Sequence, residues 1–282
     1  MWEMLRKSIN GIVNKVNVSN ISNIIMELFN ENLLRGKGLL ARAIMKAQMA
    51  SPTFTHVYAA LLAAVNTKLP DIVRLVIHRT IAQFQKAYKR NNKIVCKATI
   101  QMLAHMVNQL IVHELLALQM LALFLEEPTE DSVDLAAEFM IECGQVLTET
   151  TPAGVNAIFE RFRNILHEGQ IDRRVQYTIE KLFAIRKTKF ADHPGVIQEL
   201  DLIEEQDKIT HDISLEDQLE TEDATNFFKF DPEYETKEAQ WDEIKKEILG
   251  EFDFTKNPNA GSEESSDLEG AGNQAFDPEN VS

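Results

Sequence analysis

Along residues 5–190 apolar side chains recur at intervals of three and four, the period of helices packed along one side, with no convincing strand pattern. Leu5, Ile9, Ile12, Val13 and Val16 form the first stripe. Ser19 reads as the N-cap of a second helix carrying Ile21, Ile24, Ile25, Leu28 and Phe29. Gly36 and Gly38 break the chain before a third helix through Leu39, Leu40, Ile44 and Met45. Ser51-Pro52 then opens a fourth and Pro70 a fifth, proline being tolerated at the first helical position. Asn91-Asn92 makes the turn into a sixth helix through Ile94, Met102, Leu103, Met106 and Leu110. A Leu-rich seventh ends at Pro128, and Thr129-Glu130-Asp131, Thr151-Pro152 and Asp172 start three more. The pattern predicts an all-α chain of ten helices, about five antiparallel pairs with a pair every 35–40 residues. That spacing is the one of HEAT-type α-solenoids, although no consensus repeat is visible.

The first helix has a second face. Lys7, Asn10, Gly11, Asn14 and Lys15 lie opposite its apolar stripe. A glycine inside a helix costs about 1 kcal/mol relative to alanine, and packing asks for none at Gly11. A face bare at its centre and flanked by amides and ammoniums lets a partner approach the backbone closely.

Charge separates the chain into parts that its overall net charge of −15 conceals. Residues 1–110 hold 15 basic and 4 acidic side chains, residues 111–190 hold 8 and 13, and residues 191–282 hold 6 and 27. A basic N-terminal half points to an acidic partner, nucleic acid or protein. Its densest patch is Lys86, Lys89, Arg90, Lys93 and Lys97, without the interleaved aromatics that stack on bases. The composition predicts three parts: a helical domain over 1–190, an acidic extension with short docking helices over 191–250, and a disordered tail over 251–282. Within the extension, Leu202-Ile203 and Phe227-Phe228-Lys229-Phe230 are isolated apolar groups able to dock on the solenoid flank, and Trp241, Ile244, Ile248 and Leu249 outline a further amphipathic turn or two. An acidic extension beside a basic body can fold back as an intramolecular competitor, or serve solubility alone.

Chemistry is sparse. Cys96 and Cys143 fall within helical apolar patterns and read as buried, reduced thiols. His105, His113 and Glu114 are too far apart and too few for a metal site, and His56 and His78 sit in amphipathic helices. No strand precedes Gly36-Lys37-Gly38, as a phosphate loop requires, and no nucleophile elbow or dinucleotide fingerprint occurs. The reading is a non-enzymatic protein without cofactor or metal. Its opening residues lack a signal peptide's apolar run, and its most apolar stretch, Leu115 to Leu125, is too short to span a bilayer.

Several runs resemble one family. Trp2 to Leu5 with Ser8 to Asn17, Arg35-Gly36-Lys37-Gly38-Leu39-Leu40, Ala50 to Leu61, Asn156 to Glu168, Arg174-Val175-Gln176-Tyr177 and Lys245 to Leu249 are similar to the middle domain of translation initiation factor 4G as it occurs in nucampholin-type pre-mRNA splicing factors. The resemblance covers nearly everything up to residue 250. It implies a nuclear spliceosomal scaffold, with spliceosomal proteins as partners, that binds a DEAD-box helicase of the initiation-factor-4A type, holds it open and inactive, and delivers it to spliced mRNA for exon junction complex assembly. The family's helicase-contacting positions match Gly11, Asn14 and Lys15, with Asn10 and Lys7 on the same face. The competing expectation is an RNA-binding solenoid, active in translation or mRNA decay, that uses the basic patch directly. The family's members continue into a second helical domain and Arg/Ser-rich ends, which are not found in these 282 residues.

Overall fold

In the computed structural model, which describes residues 1–251, prolines and short polar side chains start the helices much as the pattern requires. Pro70 and Pro152 stand at the first positions of α5 (Pro70–Lys89) and α9 (Pro152–Glu168). Thr129 and Ser132 form a reciprocal capping box on α8 (Glu130–Thr150). Asn92 and Asp172 cap α6 (Lys93–Asn108) and α10 (Arg173–Lys187), each accepting a bond from a backbone N–H. The remaining solenoid helices are α1 (Trp2–Lys15), α2 (Ile21–Phe29), α3 (Lys37–Ala50), α4 (Thr55–Lys68) and α7 (Glu114–Glu126). Three starts differ from the sequence reading. Asn20, not Ser19, precedes α2, because Ser19 is held in a turn by the Asn17 carboxamide. Pro52 begins a 3-10 turn, Pro52–Phe54, and α4 follows it at Thr55. Gly38 does not break the chain but lies in the first turn of α3.

The helices stack in two layers. One runs α1, α3, α5 and further on α7 with α9; the other runs α2, α4, α6, α8, α10. Between them lies one continuous apolar core, with Phe29, Phe84, Phe124, Phe139, Phe159 and Phe162 among its fully buried side chains. The arrangement is the all-α solenoid of five antiparallel pairs that the periodicity predicts. Buried Gln48 ties three helices together, donating to Ala98 O at 2.8 Å and to Thr55 Oγ1 at 3.1 Å.

After α10 the chain turns back through Lys189 and Phe190, both in the left-handed region (φ 55° and 59°). Phe190 is 1% exposed and seats its ring on Gly144 of α8, where any Cβ would lie 2.3 Å from the ring. From there residues 191–233 form a belt that runs back toward the first helices. The belt is held mostly by neutral side chains of the solenoid. Gln145 accepts from Gly195 N (2.7 Å), Gln109 donates to Leu200 O (3.2 Å), and Asn66 donates to Ile209 O (2.6 Å) while meeting the His211 ring at 2.8 Å. His211 exchanges backbone bonds with Ile111 and His113, an isolated parallel bridge at the α6–α7 joint. Beyond it Gln119 receives Ser214 and Leu215, Gln85 donates to Leu215 O (2.9 Å), and the His78 ring accepts from Glu220 N (3.0 Å).

Arg79, 7% exposed, closes the series with five hydrogen bonds: to Thr221 O (2.7 Å), Glu222 O, Thr225 Oγ1, Asn226 Oδ1 and Gly38 O. Gly38 is a glycine because Thr225 lies on it; a Cβ there would meet the Thr225 carbonyl oxygen at 2.4 Å. The belt leads into α11 (Tyr234–Glu251), an 18-residue helix rather than a turn or two, which packs on α2 and buries Trp241 and Ile248. Leu202 and Ile203 pack on the core as expected, whereas Phe227, Phe228 and Phe230 remain largely exposed. The disorder expected of the tail concerns residues beyond the described ones, 252–282.

Candidate docking face on the first helix

α1 keeps one side free at the end of the solenoid. Leu5, Ile9, Ile12 and Val13 are buried, while Lys7, Asn10, Gly11, Asn14 and Lys15 are all exposed. The single face proposed from the sequence is therefore present as a face. A Cβ built on Gly11 meets nothing within 4 Å. The other glycines inside solenoid helices, Gly38, Gly144 and Gly154, would each bring a Cβ within 2.8 Å of a neighbour. Only Gly11 among these four has no packing reason to be a glycine.

The surroundings set what the face can accept. Among the described residues Asn10 and Asn14 make no side-chain hydrogen bond and Lys7 makes no ion pair, so two amides and an ammonium are open to a partner. Lys15 is different. Its ammonium already meets Glu27 of α2 at 2.6 Å, so it does not wait for a carboxylate as the sequence reading supposed. Both groups of that pair are about half exposed, and such surface pairs contribute roughly 0–1 kcal/mol, so a partner's carboxylate can exchange for Glu27 at little cost. Next to it Ser8 donates to Glu31, just past the end of α2, at 2.6 Å, which makes that side of the face polar.

The basic patch does not survive as a unit. Lys86, Lys89 and Arg90 are exposed at the end of α5. Lys93 instead meets Asp131 at 2.5 Å and Asp134 at 3.4 Å, and Lys97 pairs with Glu138, all on α8. The hydrogen bond to Asp131 pushes the Lys93 ammonium's pKa up, and the same bond holds the Asp131 carboxyl below its usual range. Arg174 joins from α10, 2.6 Å from Asp134. Two of five cations are thus spent on a neighbouring helix, a cross-helix pairing that sequence spacing alone did not reveal.

Histidines do not assemble into a metal site. His113 caps α7 through its ring, accepting from Leu115 N, and lies on a different element from His105. His105 meets Glu142 at 3.2 Å, and this bond is the main cause holding the Glu142 carboxyl below its usual range. Among the described residues no group of three or more His, Cys, Asp or Glu could hold a metal ion, and no helix is long and apolar enough to cross a membrane. Cys96 and Cys143 are buried free thiols, and burial pushes both up.

Residues 6–189, the solenoid from α1 through α10, match the family model described as the MIF4G domain. The chain belongs to the MIF4G family. The MIF4G chain is 54% identical over 263 residues to the human protein named Pre-mRNA-splicing factor CWC22 homolog, covering 93% of this chain and 29% of that one. It is 56% identical over 250 residues to the Danio rerio protein of the same name, covering 89% and 25%. Similarity to the Aspergillus fumigatus protein named Pre-mRNA-splicing factor cwc22 is 54% over 250 residues, covering 89% and 28%. The chain spans less than a third of the length of these relatives. The belt and α11 lie outside the MIF4G match but within the length over which the relatives align.

Proposed function

We propose that this chain is the helicase-docking module of a nuclear spliceosomal scaffold without enzymatic activity of its own. It seats an initiation-factor-4A-type DEAD-box helicase on the bare face of α1, keeps it open and inactive, and carries it to spliced mRNA for exon junction complex assembly. The observation that carries this reading is Gly11, exposed on a helix face with open space above it and no role in the solenoid. The relatives that align with this chain at 54% to 56% identity are named pre-mRNA splicing factors, which favours a spliceosomal setting and spliceosomal protein partners.

Chemically, the partner's backbone lies against Gly11, Asn14 and Asn10 give and take hydrogen bonds at close range, and Lys7 and Lys15 meet carboxylates. A rigid seat inhibits a motor by binding one arrangement of its lobes more tightly than the closed one, the shift being limited to that difference in affinity. The RNA-binding alternative in translation or decay is weakened by the loss of Lys93 and Lys97 to α8 carboxylates, which leaves Lys86, Lys89 and Arg90 as the cationic remainder. In the deciding experiment, Gly11→Tyr fills the open centre of the face. It should abolish pull-down of the exon junction complex helicase at moderate salt while the thermal melt does not fall. Wild-type binding by the folded variant refutes the reading.

A further inference from the structure

The belt crosses the outer side of α3 and α5 at one level, marked by Gly38 and Arg79. Gly38, Arg42 and Lys46 follow at intervals of four along α3, and Arg79, Gln83, Lys86 and Arg90 at four, three and four along α5 and its cap. Each set therefore shares one side of its helix. The two sides meet in a common seam: from α5, Arg79 donates to Gly38 O at 3.2 Å and Gln83 to Met49 Sδ at 2.9 Å. Lys89 points elsewhere, lining a groove on the α7 side with Gln85 and Gln119.

At the crossing, the seam is filled with acidic sequence. Thr225 sits on Gly38, Arg79 holds the Thr221 and Glu222 carbonyls, and the Glu222 carboxylate pairs with Lys37. Burial lowers the pKa of the Arg79 guanidinium, and Asp223 and Glu222 oppose that shift, so belt carboxylates supply the countercharge there. Further toward the C-terminal ends of both helices the countercharge stops. Arg42, Lys46, Lys86 and Arg90 are exposed, and among the described residues none of them makes an ion pair. The first six helices have no carboxylate to offer them. Of the four in residues 1–110, Glu3, Glu27 and Glu31 are bonded to Arg6, Lys15 and Ser8 of α1, and Asp71 stands in the first turn of α5, at its opposite end.

We infer that the open length of the α3–α5 seam is a docking site for an extended acidic peptide segment of a partner protein, laid beside the belt's own acidic crossing. The belt displays the required chemistry, since at the same seam a guanidinium and an ammonium already hold an acidic strand by its carbonyls and a carboxylate. Carboxylates of the partner meet the four cations, and its backbone rests on Met45, Met49 and Gln83, which are half-buried and uncharged. Neither stripe carries an aromatic ring on which a nucleic-acid base could stack, which favours a peptide over RNA. The site is separate from the face of α1 and does not depend on the reading of that face.

The test uses the full chain and a fluorescein-labelled decapeptide of alternating Glu and Ser, followed by anisotropy at about 0.15 M salt. A Gln-Ser decapeptide is the neutral control, and a single-stranded RNA decamer is the competing polyanion. Lys46→Glu with Lys86→Glu reverses one cation on each side of the seam. Lys89→Glu with Lys181→Glu makes the same change in net charge at two exposed positions outside it. The inference expects the Glu-Ser peptide to bind more tightly than the neutral one, and the seam variant to lose at least about tenfold in affinity while the outside variant loses less than about twofold. Both variants should melt as the unaltered chain does, because all four positions are exposed. Equal losses in the two variants reveal a general charge effect and overturn the site, as does a Glu-Ser peptide that binds no better than its neutral control. RNA that binds more tightly than the peptide and is released by the seam variant assigns the cations to phosphates and overturns the peptide reading.

Discussion

Gly11 on α1 and Gly38 on α3 stand on adjacent helices and serve opposite ends. Above Gly38 lies the backbone of Thr225, so close that a methyl group has no room; above Gly11 there is nothing within 4 Å. One glycine is already spoken for by the chain itself, and the other is left for something outside it. The same division runs through the surface. Where the belt lies, over α8, α6, α4, α5 and α3, solenoid side chains are matched to belt carbonyls and amides. At α1 the belt ends, and the amides of Asn10 and Asn14 have no partner among the described residues. A solenoid offers a long face, and this one closes most of it with its own extension and keeps one end available.

The sharpest way to break that comparison is to release the belt. Arg79→Ala removes five hydrogen bonds and leaves the Thr221 carbonyl without its partner, while the Glu222 carbonyl keeps Thr225 N and Oγ1. The expected loss is on the order of 3 kcal/mol, read as a lower urea midpoint and faster amide exchange over residues 200–233, with exchange in α9 unchanged. An unaltered midpoint would show that the belt is not gripped there. Next in size is a pair of opposite signs. Gly38→Ala should destabilise by about 1–3 kcal/mol, since the new methyl overlaps the Thr225 backbone. Gly11→Ala should stabilise by about 0.5–1 kcal/mol, since only helix propensity changes. Thermal melts of the two variants moving in the same direction would erase the distinction.

The smallest effect concerns pH. Burial, followed by the nearby Arg74, lowers the pKa of His211 from 6.5 in the docked belt, with Asp71 opposing and His78 adding to the shift. A released His211 binds a proton more readily than a docked one. The docked form is therefore favoured above about pH 6.5 and loses that advantage as pH falls through the lower, docked pKa. Amide exchange at residues 209–213 should quicken between pH 7 and 5 after correction for intrinsic rates, while exchange in α9 follows the intrinsic rates alone. Replacing His211 by Gln, which keeps a donor but cannot titrate, should remove the difference.

How far the sequence reaches can be judged from individual residues. The stripe of Leu5, Ile9, Ile12 and Val13 fixed both the helix and its buried side, and by subtraction placed Lys7, Asn10, Gly11, Asn14 and Lys15 on the outside. The basic run beside it misled: Lys93 and Lys97 looked like members of one patch because they are close in sequence, yet their carboxylate partners stand 38 to 41 residues away on α8. Phe227 to Phe230 misled in the other direction. An aromatic run in an acidic segment reads as a docking anchor, and the structure holds it in solvent beside Trp2. The acidic character of the extension also pointed to charge as the force that folds it back. Ion pairs do join it, as at Lys37 with Glu222 and Arg35 with Glu238, but most of its length is held by Asn, Gln and His side chains bonded to its backbone.

Sequence alone determined the helices, their pairing into a solenoid and the exposed side of the first one, because amphipathic period and end-capping are local and repeat within a few residues. Tertiary structure alone decided the path of the belt, the reason for Gly38 and Gly144, and the partition of the basic patch. Those depend on contacts between positions 38 to 206 residues apart, from Lys93 with Asp131 to Asn32 with Glu238. An amide bonded to a distant carbonyl leaves no period in the chain, since any residue's backbone can accept it.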